Sequence, residues 1–286
     1  MRATLICLAT LIAVPVFCQE RPLPEAQGFL REVRSRLQPD EVRQSDYAYV
    51  ETRRDQTLDK SGRATRETVT VYESYPALPG EARWLRLISK NGVPVPAAEL
   101  AKKDRARQEH VLKYARRLER QTDRDRAAEA RRREKARREN EANVDEAFRV
   151  YDIRMLGREA PGGHDTIVFS FAPKPGARPR TKEGKVLRHF AGKMWVSETE
   201  HEPVRLEVEV LDTASFGLGL VRVHQGSHLA FERRKVNGEE WLPASASYTA
   251  SARVLLLKRV RVSATMEFSD YRKFTVATET TVAPPK

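Results

Sequence analysis

Apolar and polar residues alternate with a period of two in segment after segment of this 286-residue chain. The clearest case runs from Val204 to Val210, where every second residue is Val or Leu and the residues between them are Arg or Glu. Such alternation is typical of an antiparallel strand that has one apolar face and one face in water. The chain is therefore predicted to fold mainly as a β-sheet.

Turn signals divide the alternating segments into hairpins. The predicted strands lie in residues 46–75, which form one long hairpin, and in residues 84–89, 151–155, 167–171, 193–197, 204–211, 229–236, 241 onward and 255–274. An amphipathic helix is predicted before them, from Pro24 to Leu37, because Phe29, Leu30 and Val33 share one helical face. The pattern predicts about eight to ten antiparallel strands and one N-terminal helix.

Residues 97–156 contain neither Pro nor Gly and are rich in Ala, Arg, Glu and Lys, which are strong helix formers. A long charged helical insertion is therefore predicted at about residues 97–145, between the third and fourth strands. Thr122 and Asp125 have the spacing of a helix cap, which would start a second helix. The sequence does not decide between a single straight helix and a bent pair of helices. A short apolar stripe lies in this segment, formed by Val111, Leu112, Ala115 and Leu118.

The first 18 residues have the pattern of a secretory signal peptide. Arg2 precedes an apolar run from Ala3 to Val14, which is shorter than the roughly 20 residues that span a bilayer. Cleavage after Cys18 would remove both cysteines and leave a mature domain of residues 19–286 without a disulfide. Lipoprotein anchoring at Cys18 is not expected, because bulky Phe17 precedes it. We expect the mature protein in a bacterial periplasm.

The formal net charge is +12, and about half of this excess lies between Lys102 and Glu141. Basic charge often indicates nucleic acid, but export argues against that partner and favours anionic headgroups or acidic proteins. On this view the helix contacts an anionic surface through Arg131, Arg132, Arg133, Lys135, Arg137 and Arg138. The alternative is a solvated arm or lid.

Catalytic and metal-binding patterns are missing from the sequence. There is no nucleophile elbow, phosphate-binding loop or dinucleotide-binding glycine pattern. His224 and His228 have metal-ligand spacing only on a helix, and Gly226 lies between them. We therefore expect no catalysis, no metal and no cofactor.

Aromatic and aliphatic residues recur on strands whose other faces are polar. They are Trp84, Leu87, Ile167, Phe169, Phe171, Trp195, Leu206, Phe231 and Trp241. One interpretation is a packed core beneath helices, and the other is an apolar concavity that takes an acyl chain. Alternation alone does not separate the two interpretations.

Three segments resemble the bacterial outer-membrane lipoprotein-sorting proteins of the LolA/LolB type. They are Met194-Trp195-Val196-Ser197-Glu198 with Pro203-Val204-Arg205-Leu206-Glu207, Asn237-Gly238-Glu239-Glu240-Trp241-Leu242-Pro243, and Phe268-Ser269-Asp270-Tyr271-Arg272-Lys273-Phe274. The resemblance covers most of the mature chain except residues 97–145, an insertion that the sorting carriers lack. It implies an α+β fold in which a strongly curved antiparallel sheet, an incomplete β-barrel, has helices across its open side.

The resemblance also implies a function by binding, with acyl chains held in the concave apolar face. The sequence therefore favours an exported periplasmic lipid- or lipoprotein-binding protein, a carrier or sensor rather than an enzyme. Its expected partners are a lipid or lipidated protein and an anionic membrane surface or envelope protein, but not nucleic acid. The alternative is a structural or interaction protein of the cell envelope whose long basic helix binds a partner.

Overall fold

A computed structural model describes residues 21–37, 39–216, 221–254 and 258–274. The predicted signal peptide and the tail from Thr275 to Lys286 lie outside these ranges. So does the start of the last predicted strand, residues 255–257.

The described residues form one large antiparallel sheet and several helices, which confirms the predicted α+β fold. Its strands are β1 Tyr47–Leu58, β2 Ala64–Tyr75, β3 Trp84–Lys90, β4 Val93–Pro94, β5 Tyr151–Glu159, β6 Thr166–Pro173, β7 Phe190–Ser197, β8 Pro203–Val210, β9 Ala214–Phe216, β10 Val221–Val223, β11 His228–Val236, β12 Glu240–Val254 and β13 Lys258–Lys273. The helices are α1 Ala26–Arg36, α2 Asp40–Arg43, α3 Ala97–Glu119, α4 Asp123–Val150 and α5 Lys182–Leu187. None of these helices is long and apolar enough to cross a membrane.

The main path of the sheet has two ends. Its strand order is β4-β3-β2-β1-β13-β12-β11-β8-β7-β6-β5, and β9 and β10 branch from β12. Register shifts interrupt the pairing at several places, including β1 with β13, β5 with β6 and β11 with β12. Because a bulge bends its strand and increases the local twist, these shifts curve the sheet.

Helix α1 packs on the β6–β7 end of the sheet. Phe29 and Val33 are its buried residues, as the sequence predicted. They form one cluster with Ile167, Phe169 and Val196. The rings of Phe29 and Phe169 stack with their centroids 5.7 Å apart.

The charged insertion folds as two helices rather than one rod. A capping box starts the second helix, α4. The Thr122 hydroxyl accepts a hydrogen bond from the Asp125 amide at 3.2 Å, and the Asp125 carboxylate accepts one from the Thr122 amide at 3.0 Å. Both bonds satisfy amides that an uncapped helix would leave without partners.

Helix α3 is held against β3. Asp104 accepts two hydrogen bonds from Arg86, at 2.7 and 2.9 Å. Arg107 lies over the Trp84 ring, 5.6 Å from its centroid, and the Tyr114 hydroxyl donates to a backbone carbonyl before β3. Strand alternation places Trp84 and Arg86 on the sheet face opposite the one that α1 covers. The helices therefore contact both faces of the sheet, whereas the resemblance implied helices across its open side alone.

The segment from Lys174 to Lys185 is rich in Pro, Lys and Arg, a composition typical of a loop, yet it contains the start of α5. Thr181 caps this helix by accepting a hydrogen bond from the Gly184 amide at 2.9 Å. The buried Glu146 of α4 accepts another from the Arg180 amide at 2.6 Å. These contacts with α4 stabilise a turn that composition alone does not indicate. The short strands β4, β9 and β10 likewise raise the strand number above the predicted eight to ten.

Candidate functional site

A line of apolar residues crosses the sheet on the face that carries α1. Residues paired directly across an antiparallel ladder point to the same face. This apolar row consists of Phe169, Met194, Leu206, Phe231, Ala246 and Met266, which are consecutive partners from β6 to β13.

A second row runs beside the first. It consists of Phe171, Gly192, Val208, Leu229, Tyr248 and Ala264. A Cβ on Gly192 would lie 1.9 Å from the Glu207 carbonyl oxygen and 2.8 Å from the Phe171 ring, so only glycine fits between the neighbouring strand and that ring. The ring also contacts Tyr151, with centroids 5.0 Å apart.

Helix α1 covers only one end of the two rows. Ile167 and Phe169 have no exposed surface, and Met194 packs against their cluster. From β8 onward most side chains of the two rows are half-buried, although Ala264 is buried, and none of the buried clusters of the described chain includes Leu206 or Phe231. Leu229 is 43% exposed. The face thus changes from packed core to accessible apolar surface between β7 and β8.

Charged side chains border the apolar surface on β1. Arg53 is the partner of Met266, and Glu51 is the partner of Phe268. Glu51 is buried and accepts a hydrogen bond from Arg53, which raises the pKa of the arginine. The guanidinium also lies over the Tyr72 ring, 5.2 Å from its centroid. An apolar surface with one polar border suits an amphiphile better than a purely apolar ligand.

The two hairpins whose sequences resemble the LolA/LolB type place their tryptophans away from the apolar row. Trp195 and Trp241 belong to a separate buried cluster with Val168. Val168 lies between Ile167 and Phe169 on β6, so its side chain points to the sheet face opposite α1. The indole N–H groups donate to Glu159 at 2.7 Å and to Glu200 at 2.9 Å. The structure therefore does not bring these two candidate ligand contacts to the apolar row.

The remaining two candidates lie near the other edge of the sheet. Trp84 packs against Tyr75, with centroids 5.1 Å apart, and against Arg107 of α3. Leu87 is half-buried and is the partner of Tyr72, on the same face as the apolar row. Of the nine sequence candidates, Leu206 and Phe231 are those on the accessible part of the row. The sequence did not identify Leu229 and Met266 as members of the two rows. Their membership follows from the strand register, and no local motif indicates it.

Most of the candidate basic residues on α4 are neutralised within the helix. The ion pairs are Arg133 with Glu129, Lys135 with Glu139, Arg137 with Glu134 and Glu141, and Arg138 with Glu134. Hydrogen bonds from Arg137 and Arg138 lower the pKa of Glu134 to about 2. Arg131 and Arg132 are exposed and form no ion pair with a described residue.

The opposite face carries a different concavity. A cleft of about 510 Å³ is lined mainly by polar residues, among them Gln56, Thr249, Ser251, Arg261 and Ser263. Its polar lining does not match an acyl chain. Over the ranges that the structure describes, no three His, Cys, Asp or Glu side chains meet as a metal site.

Comparisons with known proteins bear on the fold. No protein-family model matches the sequence, and no curated protein is significantly similar to it. A LolA superfamily protein from Nitrosomonas europaea is 10% identical, with 88% of this chain and 94% of that chain covered and a TM-score of 0.32. An outer membrane lipoprotein-sorting protein domain from Vibrio parahaemolyticus is 11% identical, with coverages of 87% and 92% and a TM-score of 0.32.

A third structure is a complex, that of MucA and MucB from Pseudomonas aeruginosa. Its matching chain is 9% identical, with 88% of this chain and 99% of that chain covered and a TM-score of 0.23. At these identities and TM-scores the comparisons carry no argument about activity. The chain is similar to these solved structures, as the sequence resemblance predicted, and its α+β fold with one large open antiparallel sheet follows from the strand order itself.

Proposed function

We propose that this protein is exported to the periplasm and binds the acyl chains of a lipid or a lipidated protein. It acts by binding rather than by catalysis. The observation that carries the proposal is the apolar row, which leaves the cover of α1 at Leu206 and continues half-buried to Met266. Soluble proteins rarely leave such a continuous apolar surface without a ligand or partner for it.

The dimensions of the row suit one acyl chain. The three interstrand steps from β8 to β13, at about 4.8 Å each, give the accessible part of the row a length of about 14 Å. Burial of about ten methylene groups contributes roughly 8 kcal/mol, and association entropy offsets part of that. The expected affinity is therefore micromolar or weaker, which suits reversible transfer.

Native mass spectrometry of protein purified from the periplasm tests the proposal directly. We expect an adduct that organic extraction and lipid analysis identify as a phospholipid or acylated species. A bare mass that does not change after fatty acid or phospholipid is added would contradict the proposal. That outcome would favour the interaction-protein alternative.

A matched pair of variants tests whether the acyl chain binds along the two rows. Leu229→Lys places a charge in the second row, and Leu156→Lys makes the same change at a 52% exposed leucine on β5, outside both rows. We expect Leu229→Lys to weaken the binding of a fluorescent fatty acid at least tenfold and Leu156→Lys to change it less than twofold. Equal losses in both variants would place the ligand elsewhere.

A further inference from the structure

Residues 118–144, which connect the outer part of α3 to most of α4, are mostly exposed. Among the described residues, no hydrogen bond or ion pair joins residues 118–144 to the sheet or to α1. The last polar contacts are those of Tyr114 and Arg117 on α3 and of Asp145 on α4. At 1.5 Å per residue, the free part of α4 alone is about 33 Å long.

The outer part of α3 carries an uncovered apolar stripe. Val111, Leu112 and Leu118 are 38%, 58% and 41% exposed. Their spacing puts them on one side of the helix. Tyr114 is buried beside the stripe and holds the helix to the body. The stripe is therefore presented at a fixed position and contributes little to the packing of the described chain.

Uncompensated positive charge surrounds the stripe. Residues 111–126, here called the hairpin end, contain six basic and three acidic residues. Four of the basic residues are exposed and form no ion pair with a described residue: Lys113, Arg116, Arg120 and Arg124. Of the acidic residues, Asp123 pairs with Arg126 and Asp125 caps α4, which leaves Glu119 to oppose them.

The positions of these charges follow the geometry of an interfacial helix. Arg116 follows Leu112 by four residues, so its long aliphatic stem runs beside the stripe while its guanidinium reaches outward. A helix with exposed aliphatic residues on one side and flexible cations beside them suits the interface of an anionic bilayer. A folded partner would need a complementary shape, whereas a fluid bilayer fits a narrow convex end without one.

From these observations we infer that the hairpin end docks on an anionic phospholipid bilayer. Lys113, Arg116, Arg120 and Arg124 contact the headgroups, and Val111, Leu112 and Leu118 enter the headgroup–acyl boundary. The contact differs from the one that the sequence suggested on α4, where glutamates within the helix neutralise four of the six candidate cations. It does not depend on acyl-chain binding in the apolar row.

Co-sedimentation of the full mature chain with vesicles tests the inference. The vesicles contain phosphatidylglycerol and phosphatidylethanolamine, and pure phosphatidylcholine vesicles serve as the neutral comparison. We expect binding to the anionic vesicles that falls at least tenfold between 50 and 300 mM salt, with little binding to phosphatidylcholine. Equal binding to both compositions, or none to either, overturns the inference.

Matched double variants locate the contact. Arg116→Gln/Arg120→Gln removes two free cations, and Arg137→Gln/Arg138→Gln removes the same charge from paired positions on α4. We expect at least tenfold weaker vesicle binding in the first and less than threefold in the second. Leu112→Gln/Leu118→Gln should also weaken binding at least tenfold. Equal effects of the two arginine pairs would show attraction by net charge alone and overturn the assignment.

Two controls separate this contact from the other possibilities. Leu229→Lys should retain vesicle binding, and the hairpin-end variants should retain fluorescent fatty acid binding, so the two proposals fail independently. Sedimentation equilibrium without lipid should give a monomer. A dimer that Leu112→Gln/Leu118→Gln dissociates would show that the stripe binds a second copy instead, which contradicts docking on a bilayer.

Discussion

At the scale of single residues, one carboxylate fastens the start of the described chain to the sheet. Glu198 accepts two hydrogen bonds from Arg158, both at 2.7 Å, and also pairs with Arg21. Arg158 donates in addition to the backbone carbonyls of Arg21 and Pro22. The segment before α1 is therefore held by the Arg158 guanidinium and by the ion pairs of Arg21, and Glu198, whose side chain is only 13% exposed, takes part in both.

Replacing this carboxylate should destabilise the protein in a pH-dependent way. Hydrogen bonding from Arg158 lowers the pKa of Glu198, so its ionised form stabilises the fold above the unfolded-state pKa of about 4.3. We expect Glu198→Gln to cost about 2 kcal/mol of unfolding free energy at pH 7. The difference from the native chain should shrink as the pH falls below about 4, measured by urea unfolding at several pH values.

The control for this prediction is Glu207→Gln, which removes the more exposed ion pair with Arg205. It should cost less than about 0.5 kcal/mol, because exposed pairs contribute little. A cost for Glu198→Gln that is equally small, or that does not vary with pH, would contradict the anchoring role.

Single residues also show where sequence reasoning reaches its limit. Trp195 and Leu206 lie in one hairpin and were both candidates for the apolar surface, yet they point to opposite faces. The alternating pattern shows which residues of a strand share a face, but it does not show which of the two faces a helix covers. Which face lies under α1 depends on contacts between residues more than 100 positions apart, such as Phe29 with Phe169.

At the scale of elements, α1 acts as a partial cover whose attachment depends on very few side chains. Phe29 and Val33 are its buried residues, and Glu25 caps its first turn by accepting hydrogen bonds from Gln27 and Gly28. The helix therefore decides where core ends and accessible surface begins on the apolar row.

Two separate valine substitutions, one buried and one exposed, test how strongly α1 is packed on the sheet. Val33 has no exposed surface, whereas Val42 is 55% exposed in α2. We expect Val33→Ala to lower the unfolding free energy by about 2 kcal/mol, because it leaves a cavity beneath the helix. Val42→Ala should change it by less than about 0.5 kcal/mol. Similar effects of both substitutions in denaturant titrations would show that α1 is not packed as described.

Elements defined by local signals could be predicted from the sequence. The β1–β2 hairpin, α1 and the Thr122 cap lie where the sequence indicated, because turn residues, helical periodicity and capping act within a few positions. Helix α5 could not be predicted. Its segment has the composition of a loop, and hydrogen bonds to Glu146 of α4 stabilise the turn that leads into it.

At the scale of the whole molecule, the two helices of the insertion connect the ends of the sheet path. The chain passes from the edge strand β4 through α3 and α4 to the edge strand β5. The inner ends of both helices are bound to the body, by Asp104 on α3 and by Glu146 on α4. Residues 118–144 between them add charge and length but form no hydrogen bond or ion pair with the described sheet or with α1.

The fold should therefore tolerate removal of the outer hairpin. Replacing residues 118–144 with a flexible Gly/Ser linker of about 36 residues, whose root-mean-square span of about 33 Å matches the length of the α4 segment removed, retains the contacts of Tyr114 and Asp145 that hold the two helix stubs. Because the loop-closure cost of such a linker is small, we expect the midpoint of thermal unfolding to change by less than about 3 °C. Fluorescent fatty acid binding should persist, while binding to anionic vesicles should weaken at least tenfold, because Leu118, Arg120 and Arg124 are removed. A midpoint lowered by more than about 10 °C would show that the outer hairpin stabilises the sheet, and the division of the molecule into a lipid-binding body and a docking arm would be wrong.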